Sequence, residues 1–280
     1  MPVVGQYNRL IISRINATGA FFSTDEGDLL LPGKFIPAGA EPGMEMNVFI
    51  YCDSEDRLVA TTQTPKGVVG DITLLRVKDI HDNIGAFLDW GLDKDLLLPF
   101  AEQPAPLNIG EQVLVRLYLD QSGRVAASAR LNKFLSPADG SLGIGDEVDL
   151  IAYAITDLGV KVVINNRHDG LLFRSELFDT PPRGKRLKGY IRKIRSDGKI
   201  DVTLRKGGAQ EIGKDRELIL AALQNRDGFL PLTDKSSPEE IAGILRLSKK
   251  SFKKAVGGLY KEGLVRMSAE GITLSPDSAD

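Results

Sequence analysis

The sequence has one cysteine, Cys52, and only two histidines, His81 and His168. One thiol closes no internal disulfide, and two histidines this far apart leave no zinc-ligand spacing, so neither a thiol framework nor a structural metal is expected. No run approaches 18 uncharged apolar residues, which argues against a membrane-spanning helix. Met1-Pro2-Val3-Val4-Gly5-Gln6 carries no basic patch leading into an apolar stretch, so no secretory signal is expected and the cytoplasm is the expected compartment. There is no phosphate-cradling glycine loop, no nucleophile elbow, no Cys/His pair and no carboxylate cluster of metal-site spacing. An enzyme, for instance a nuclease, is therefore the least supported class, and no cofactor is expected. Charge of one sign is also not in excess, with 36 Lys and Arg against 38 Asp and Glu. Hydrophobic residues at 42% and charged residues at 26% are ordinary for a folded soluble protein and exclude a disordered chain.

A chain of 280 residues predicts two domains, or three to four if the modules are small. An internal repeat decides for small ones. Gly19-Ala20-Phe21-Phe22, Leu29-Leu30-Leu31-Pro32, Gly43 to Tyr51 and Asp56 to Thr61 recur as Gly85-Ala86-Phe87-Leu88, Leu96-Leu97-Leu98-Pro99, Gly110 to Tyr118 and Gly123 to Ser128, about 66 residues on. A weaker third copy follows in Gly159 to Ile164, Gly170 to Phe173, Gly184 to Ile194 and Gly198 to Leu204. An alternating run such as Asn8 to Ile15 or Ile72 to Val77 precedes each Gly-led element in the first two copies, and Gly, Asp and Asn clusters separate the runs. Each copy reads as five short strands, which suits a small closed barrel of the OB type more than a sandwich, because closure removes exposed sheet edges.

Net charge becomes informative once divided by segment. Residues 1–65 hold four Lys/Arg against eight Asp/Glu, and residues 66–135 hold eight against nine. From Arg183 to Lys206 there are ten basic residues against only Asp197 and Asp201. A basic block inside a near-neutral chain is the footprint of a polyanion-binding face; the alternative is a solvated face without a partner. Alternation puts Lys188, Tyr190 and Arg192 on the side opposite Leu187 and Ile191, interleaving an aromatic ring with two cations. Phe21, Phe22 and Phe87 read first as core residues. His168, in Asn165-Asn166-Arg167-His168-Asp169-Gly170, reads as a surface turn residue, and His81 as loop punctuation. A small buried hydrophobe is the default reading of Cys52.

From Lys214 the hydrophobic period changes from two to about 3.6. Leu218, Ile219, Ala222 and Leu223 mark one helix, and Phe229 to Leu232 a short strand. Ser236-Ser237-Pro238-Glu239-Glu240 supplies a cap, a first-turn proline and early carboxylates for a second helix, which carries Ile241, Ile244 and Leu245 inward. Leu247-Ser248 turns into a third, from about Lys249 to Lys261, with Phe252, Val256, Leu259 and Tyr260 as its apolar stripe. Residues 264–267 and 271–274 make a hairpin. This is the layout of a winged helix-turn-helix, and its post-turn helix begins with Lys249, Lys250, Lys253 and Lys254. Lysines there suit phosphate contact better than base readout.

The expected fold is thus mainly β with a C-terminal α+β module: three tandem five-stranded OB-type barrels at 1–65, 66–135 and 136–210, then a winged-helix domain at 211–280. The strand order within each copy resembles the RNA-binding repeat of ribosomal protein S-one. In that family an aromatic on the second strand, an aromatic or histidine on the third and a basic residue after the fifth make the RNA face. Phe21 and Phe87 fit the first position, with Lys161 there in the third copy; Leu31, Leu98 and Phe173 align with the second; Arg205 and Arg130 fit the last. With Leu247-Ser248-Lys249-Lys250-Ser251-Phe252-Lys253-Lys254-Ala255-Val256-Gly257-Gly258-Leu259-Tyr260 near the end, the whole chain resembles the bacterial conserved virulence factor B family. That resemblance implies a cytoplasmic RNA-binding protein that influences gene expression. The expected partner is single-stranded RNA, bound with little sequence preference by the third barrel and the winged helix. A duplex reached through the winged helix, the ribosome and other proteins are further partners to weigh, and no membrane is expected. The candidate RNA-binding residues are Lys161, Phe173, Arg174, Lys185, Arg186, Lys188, Tyr190, Arg192, Lys193, Arg195, Lys199, Arg205 and Lys206, together with Lys249, Lys250, Lys253 and Lys254. Phe21, Phe87 and Arg130 are weaker candidates. The alternative reading is a DNA-binding transcription regulator that reads with its winged helix and uses the barrels as protein-interaction modules.

Overall fold

The computed structural model of the chain describes residues 1–25, 27–177, 179–206 and 209–275, with residues 209–212 described by backbone alone. The chain forms two compact units, Met1–Phe134 and Leu135–Asp280. In the first, β1 (Tyr7–Ile15), β2 (Gly19–Thr24), β3 (Gly27–Pro32), β4 (Glu45–Cys52) and β5 (Leu58–Thr61) close a barrel in the order β1-β2-β3-β5-β4. Next come β6 (Ile72–His81), β7 (Gly85–Asp89), β8 (Leu96–Pro99), β9 (Gln112–Leu119) and β10 (Val125–Ser128). Their order, β10-β9-β6-β7-β8, is the same circle cut between β8 and β10. In the second unit β11 (Glu147–Ile155), β12 (Gly159–Ile164), β13 (His168–Phe173), β14 (Arg186–Ile194) and β15 (Ile200–Thr203) close again as β11-β12-β13-β15-β14.

Two features of the repeated sequence make five short strands close on themselves. The first strand of each barrel carries a register break at the same place, between Ile12 and Arg14, Val77 and Asp79, and Ala152 and Ala154. A bulge of this kind bends the strand and increases its twist, which a barrel wall requires. The second is the glycine that opens each second strand. A Cβ on Gly19 would stand 2.1 Å from the Leu31 carbonyl oxygen, and on Gly85 or Gly159 2.2 Å from that of Leu98 or Leu172. Gly85 and Gly159 also have φ of +146° and +152°, where side chains are strained. The repeated Gly is therefore set by the close approach of the third strand.

Inside the third barrel, Val148, Leu150, Val160, Val162, Ile164, Leu172, Ile191, Ile200 and Val202 fill the core. Each such side chain contributes about 1.5–3 kcal/mol on full burial. In the first unit Phe49, Tyr51 and Val59 join one cluster with Leu75, Leu88, Trp90 and Leu98, so the first two sheets share core packing. Trp90 meets both Phe49 and Tyr51 edge-on, with ring centroids 5.8 and 6.1 Å apart.

The rest of the second unit is α1 (Ala209–Gln224), β16 (Phe229–Leu230), α2 (Pro238–Leu245), α3 (Lys249–Lys261), β17 (Val265–Met267) and β18 (Ile272–Leu274), with the three strands ordered β16-β18-β17. Ser237 caps α2: its side chain accepts from the Glu240 backbone N–H while Glu240 accepts from that of Ser237, and Pro238 sits at the first turn. Ser248 caps α3 by accepting from the Ser251 backbone N–H. Ile219, Leu223, Ile241, Leu245, Phe252, Val256 and Leu259 make the core. Among the described residues no helix is long and apolar enough to cross a membrane.

Three expectations are corrected. His168 is no surface turn residue: it is the first residue of β13 and buried, because Asn165 and Asn166, both left-handed, complete the reversal before it. Its Nδ1 lies 2.9 Å from the Pro137 carbonyl and 3.2 Å from that of Ser136, so this nitrogen carries the proton and ties the preceding segment to the barrel. Tyr260 is exposed, since Leu259 already completes the apolar stripe and the next residue lies about 100° further round the helix. Cys52 is half-buried rather than part of a core.

The glycine argument makes a paired prediction. Gly159→Ala should destabilise the second unit by about 1–3 kcal/mol or more, because a Cβ must displace the Leu172 carbonyl at an unfavourable φ. Gly257→Ala, within α3 and with open space where the methyl would sit, should be neutral or stabilise by up to about 1 kcal/mol. Urea unfolding of the two variants measures both, and equal effects would contradict the account.

Candidate nucleic-acid interface

With Val, Leu and Ile turned into the third barrel, its outer surface carries the candidate residues. The burial pattern of β14 follows the expected alternation: Leu187 and Ile191 turn inward, and Lys188, Tyr190 and Arg192 turn out. On β12 and β13 the outward residues are Lys161, paired across the ladder with Leu171, and Phe173, paired with Gly159. Equivalent pairs in the other barrels are Gly19 with Pro32 and Gly85 with Pro99. Phe173 therefore corresponds to Pro32 and Pro99, one position beyond the alignment with the buried Leu31 and Leu98, whereas Lys161 does take the place of Phe21 and Phe87.

Three aromatic rings on this surface each carry a cation. The Arg195 guanidinium lies 5.8 Å from the Phe173 ring centroid and is held there by Asp201, at 2.7 and 3.2 Å. Lys206 Nζ stands 6.0 Å from the Tyr190 ring, whose hydroxyl donates to Glu147 at 3.1 Å. Lys161 Nζ lies 5.3 Å from the ring of Tyr153, the residue at the β11 register break, and 3.0 Å from Asp169. The Tyr153 hydroxyl donates to the same carboxylate at 2.7 Å. Burial pushes the Tyr153 phenol up to about 12, so it remains a donor at neutral pH. Burial works against charge on Lys161, but its hydrogen bonds with Tyr153 and Asp169 outweigh this and hold its pKa above the usual lysine value.

The block of ten basic residues is not an uninterrupted positive surface. Lys188 pairs with Asp149 at 2.9 Å, Lys199 with Asp197 at 2.9 Å, and Arg192 with Glu176. The second carboxylate oxygen of Glu176 is buried without a hydrogen-bond partner. The hydrogen bond to Asp149 raises the Lys188 pKa. Arg174 donates to the Thr156 carbonyl at 3.3 Å. Arg186 lines a shallow cavity of 320 Å³ with Asp149, Asn165 and Asn166. Arg205 donates to Asp215 on α1 and to Ser251 on α3. Among the described residues, Lys185 and Lys193 are exposed with no carboxylate at ion-pair distance. On α3, Lys250, Lys253 and Lys254 are likewise exposed and unpaired, while Lys249 approaches the Lys235 carbonyl at 3.5 Å. The partners Glu147, Asp149, Asp169 and Glu176 lie on other segments of the chain, so a count along the sequence misses them. Tyr153 was missed as well; its signal is an aromatic between two alanines on the first strand.

The weaker candidates fall elsewhere. Phe22 is in the core as expected, but Phe21 is half-buried on the outside of β2, with the Arg14 guanidinium 4.2 Å from its ring centroid and paired with Asp28. Phe87 is also half-buried and lines a cavity of 460 Å³ with Tyr51, Cys52, Trp90 and Arg124. Burial raises the pKa of the Cys52 thiol there. Arg130 donates to the carbonyls of Ala101 and Gln103, at 2.9 and 3.0 Å, and so fastens its own barrel.

Comparison with known proteins agrees with this architecture. Residues 4–63 and 69–130 match the S1 domain, and residues 217–274 match the CvfB-like winged helix domain. The uncharacterized protein YitL of Bacillus subtilis is 29% identical over 276 residues, covering 93% of this chain and 90% of its own length. Conserved virulence factor B of Staphylococcus epidermidis and that of Staphylococcus aureus are each 26% identical over 243 residues, 84% of this chain and 81% of theirs. A crystallised multidomain protein with nucleic acid binding domains from Streptococcus pneumoniae is 24% identical, covers 97% of this chain and 98% of that one, and has a TM-score of 0.42. The chain thus carries S1 domains followed by a CvfB-like winged helix domain, and it is similar along most of its length to proteins named conserved virulence factor B.

Proposed function

We propose that this is a non-enzymatic RNA-binding protein of the cytoplasm, which holds single-stranded RNA with little sequence preference and regulates gene expression after transcription. The modules at 136–210 and 211–280 do the binding. The observation that carries this reading is the half-exposed Phe173 ring with Arg195 fixed over it by Asp201, in a surface that also presents Tyr153 and Tyr190. Every unpaired base offers a π-face, so a ring and its cation hold any base for roughly 1–3 kcal/mol without reading its edge. Lys185 and Lys193 on the barrel, with Lys250, Lys253 and Lys254 on α3, supply point charges for phosphates.

The paired cations bear on the mechanism. A carboxylate that orients Arg195 or Lys161 also cancels its charge at long range, so stacking supports affinity more than a count of ten cations suggests. Exposed ion pairs contribute only about 0–1 kcal/mol, so a phosphate can take over a lysine from its carboxylate at small cost. The acidic first unit is the less suitable surface for a polyanion.

Fluorescence anisotropy on an unstructured RNA oligonucleotide tests the reading. Phe173→Ala and Tyr190→Ala should each weaken binding by about tenfold, the loss of one stacked base. If the five unpaired lysines meet phosphates, log affinity should fall against log salt with a slope of about −3 to −4, and Lys185→Glu with Lys193→Glu should flatten it by about 1.4. Full affinity in the ring variants, or no dependence on salt, would contradict the proposal.

The lysine-led α3 also supports a second reading, a regulator that binds duplex DNA. Competition between equal lengths of duplex DNA and single-stranded RNA separates the two. The proposal expects RNA to displace the duplex; the reverse order would favour the DNA reading.

A further inference from the structure

The fifth strand ends in the same way in all three barrels. A hydroxyl on its last residue accepts from the backbone N–H two residues on: Thr61 from Gln63 at 3.0 Å, Ser128 from Arg130 at 3.2 Å, and Thr203 from Arg205 at 3.3 Å. Gln63, Arg130 and Arg205 are therefore equivalent positions. Each directs its side chain to protein groups. Gln63 donates to Asp93, beyond the end of its own barrel, at 2.7 Å, and Arg130 donates to two carbonyls of its own barrel. Arg205 uses one nitrogen, Nη1, for both oxygens of Asp215 on α1, at 2.8 and 3.0 Å, and for the Ser251 hydroxyl in the first turn of α3, at 3.1 Å.

We infer that Arg205 is a positioning residue rather than an RNA ligand: it fixes the winged helix against the third barrel so that the lysines of α3 and the aromatic face of the barrel form one binding track. The inference rests on the RNA-binding reading for its consequence, but not for its geometry. Arg205 and Asp215 are 28% and 14% exposed, so water screens this pair less than the surface pairs of β14. Ser251 lies between Lys250 and Lys253, so the arginine grips the helix beside its unpaired charges. The short turn after β13, Arg174–Glu176, also packs on α3, so the two modules meet at two places. Joining two weak sites rigidly raises the effective concentration of the second for a strand already held by the first.

Opposite signs distinguish the two roles. If Arg205 positions the helix, Arg205→Ala and Asp215→Ala in the full chain should act alike. Each should weaken binding of an RNA of about fifteen nucleotides by about tenfold, and leave binding of one of about five nucleotides unchanged. If Arg205 contacts phosphate and Asp215 competes for it, Asp215→Ala should tighten binding while Arg205→Ala loosens it, at both lengths. That result overturns the inference. A second readout needs no RNA: spin labels on Ser196→Cys and Glu270→Cys, in a Cys52→Ser background, report the distance from barrel to winged helix. The expected distribution is narrow in the parent and broad in both variants. Arg205→Lys, which keeps the charge but lacks the planar guanidinium, should fold and show intermediate broadening. A distribution that stays narrow in all three variants also overturns the inference. If the parent binds neither RNA, the RNA-binding reading fails, and the distance measurement still decides the role of Arg205.

Discussion

At the start of the second strand in each barrel, the backbone passes so close to the third strand that only a hydrogen fits where a side chain would begin. Gly19, Gly85 and Gly159 satisfy this, with carbonyl oxygens 2.1–2.2 Å from where a Cβ would lie. The approach lets five short strands curl into a narrow barrel, and in the third copy Val, Leu and Ile side chains with Ala152 fill its interior. With the interior taken, the polar and aromatic residues between them are forced outward at fixed spacing. Lys161 stands two residues from the critical glycine, and Phe173 lies directly across the ladder from it. The constraint that closes the third barrel therefore also sets out the surface proposed to meet RNA.

The electrostatics of that surface depend on pairing across segments. Ten basic residues between Arg183 and Lys206 suggest a continuous positive track, yet Asp149, Asp169, Glu147 and Glu176 reach the same surface from other segments. The result is a set of oriented cations over aromatic rings, with a smaller number of unpaired lysines beside them. Orientation lowers the entropy lost on binding, and cancellation lowers long-range attraction. A surface of this kind should favour unpaired, stackable bases over a stiff duplex whose bases are hidden.

Much of the architecture was legible because the signals were local. Glycine before an apolar pair, repeated after about 66 residues, exposed the barrels. Ser237-Pro238 and Ser248 marked the helix starts within a residue. What stayed hidden depends on which strands become neighbours. The carboxylate partners, the burial of His168 under carbonyls from residues 136 and 137, and the correspondence of Phe173 with Pro32 and Pro99 all require the ladder register. Arg205 shows the limit most plainly. Its position fits the family pattern of an RNA contact, but Asp215 and Ser251 become its neighbours only once helices have packed on the barrel.

The central claim is that RNA meets the third barrel and α3 together. Hydrogen exchange of the full chain with and without an unstructured RNA tests it most directly, since protection maps contact without altering a residue. The account predicts slowed exchange across β12, β13 and β14 and the first turns of α3, with residues 1–134 unchanged. Protection confined to residues 1–134, with those strands unaffected, would contradict it.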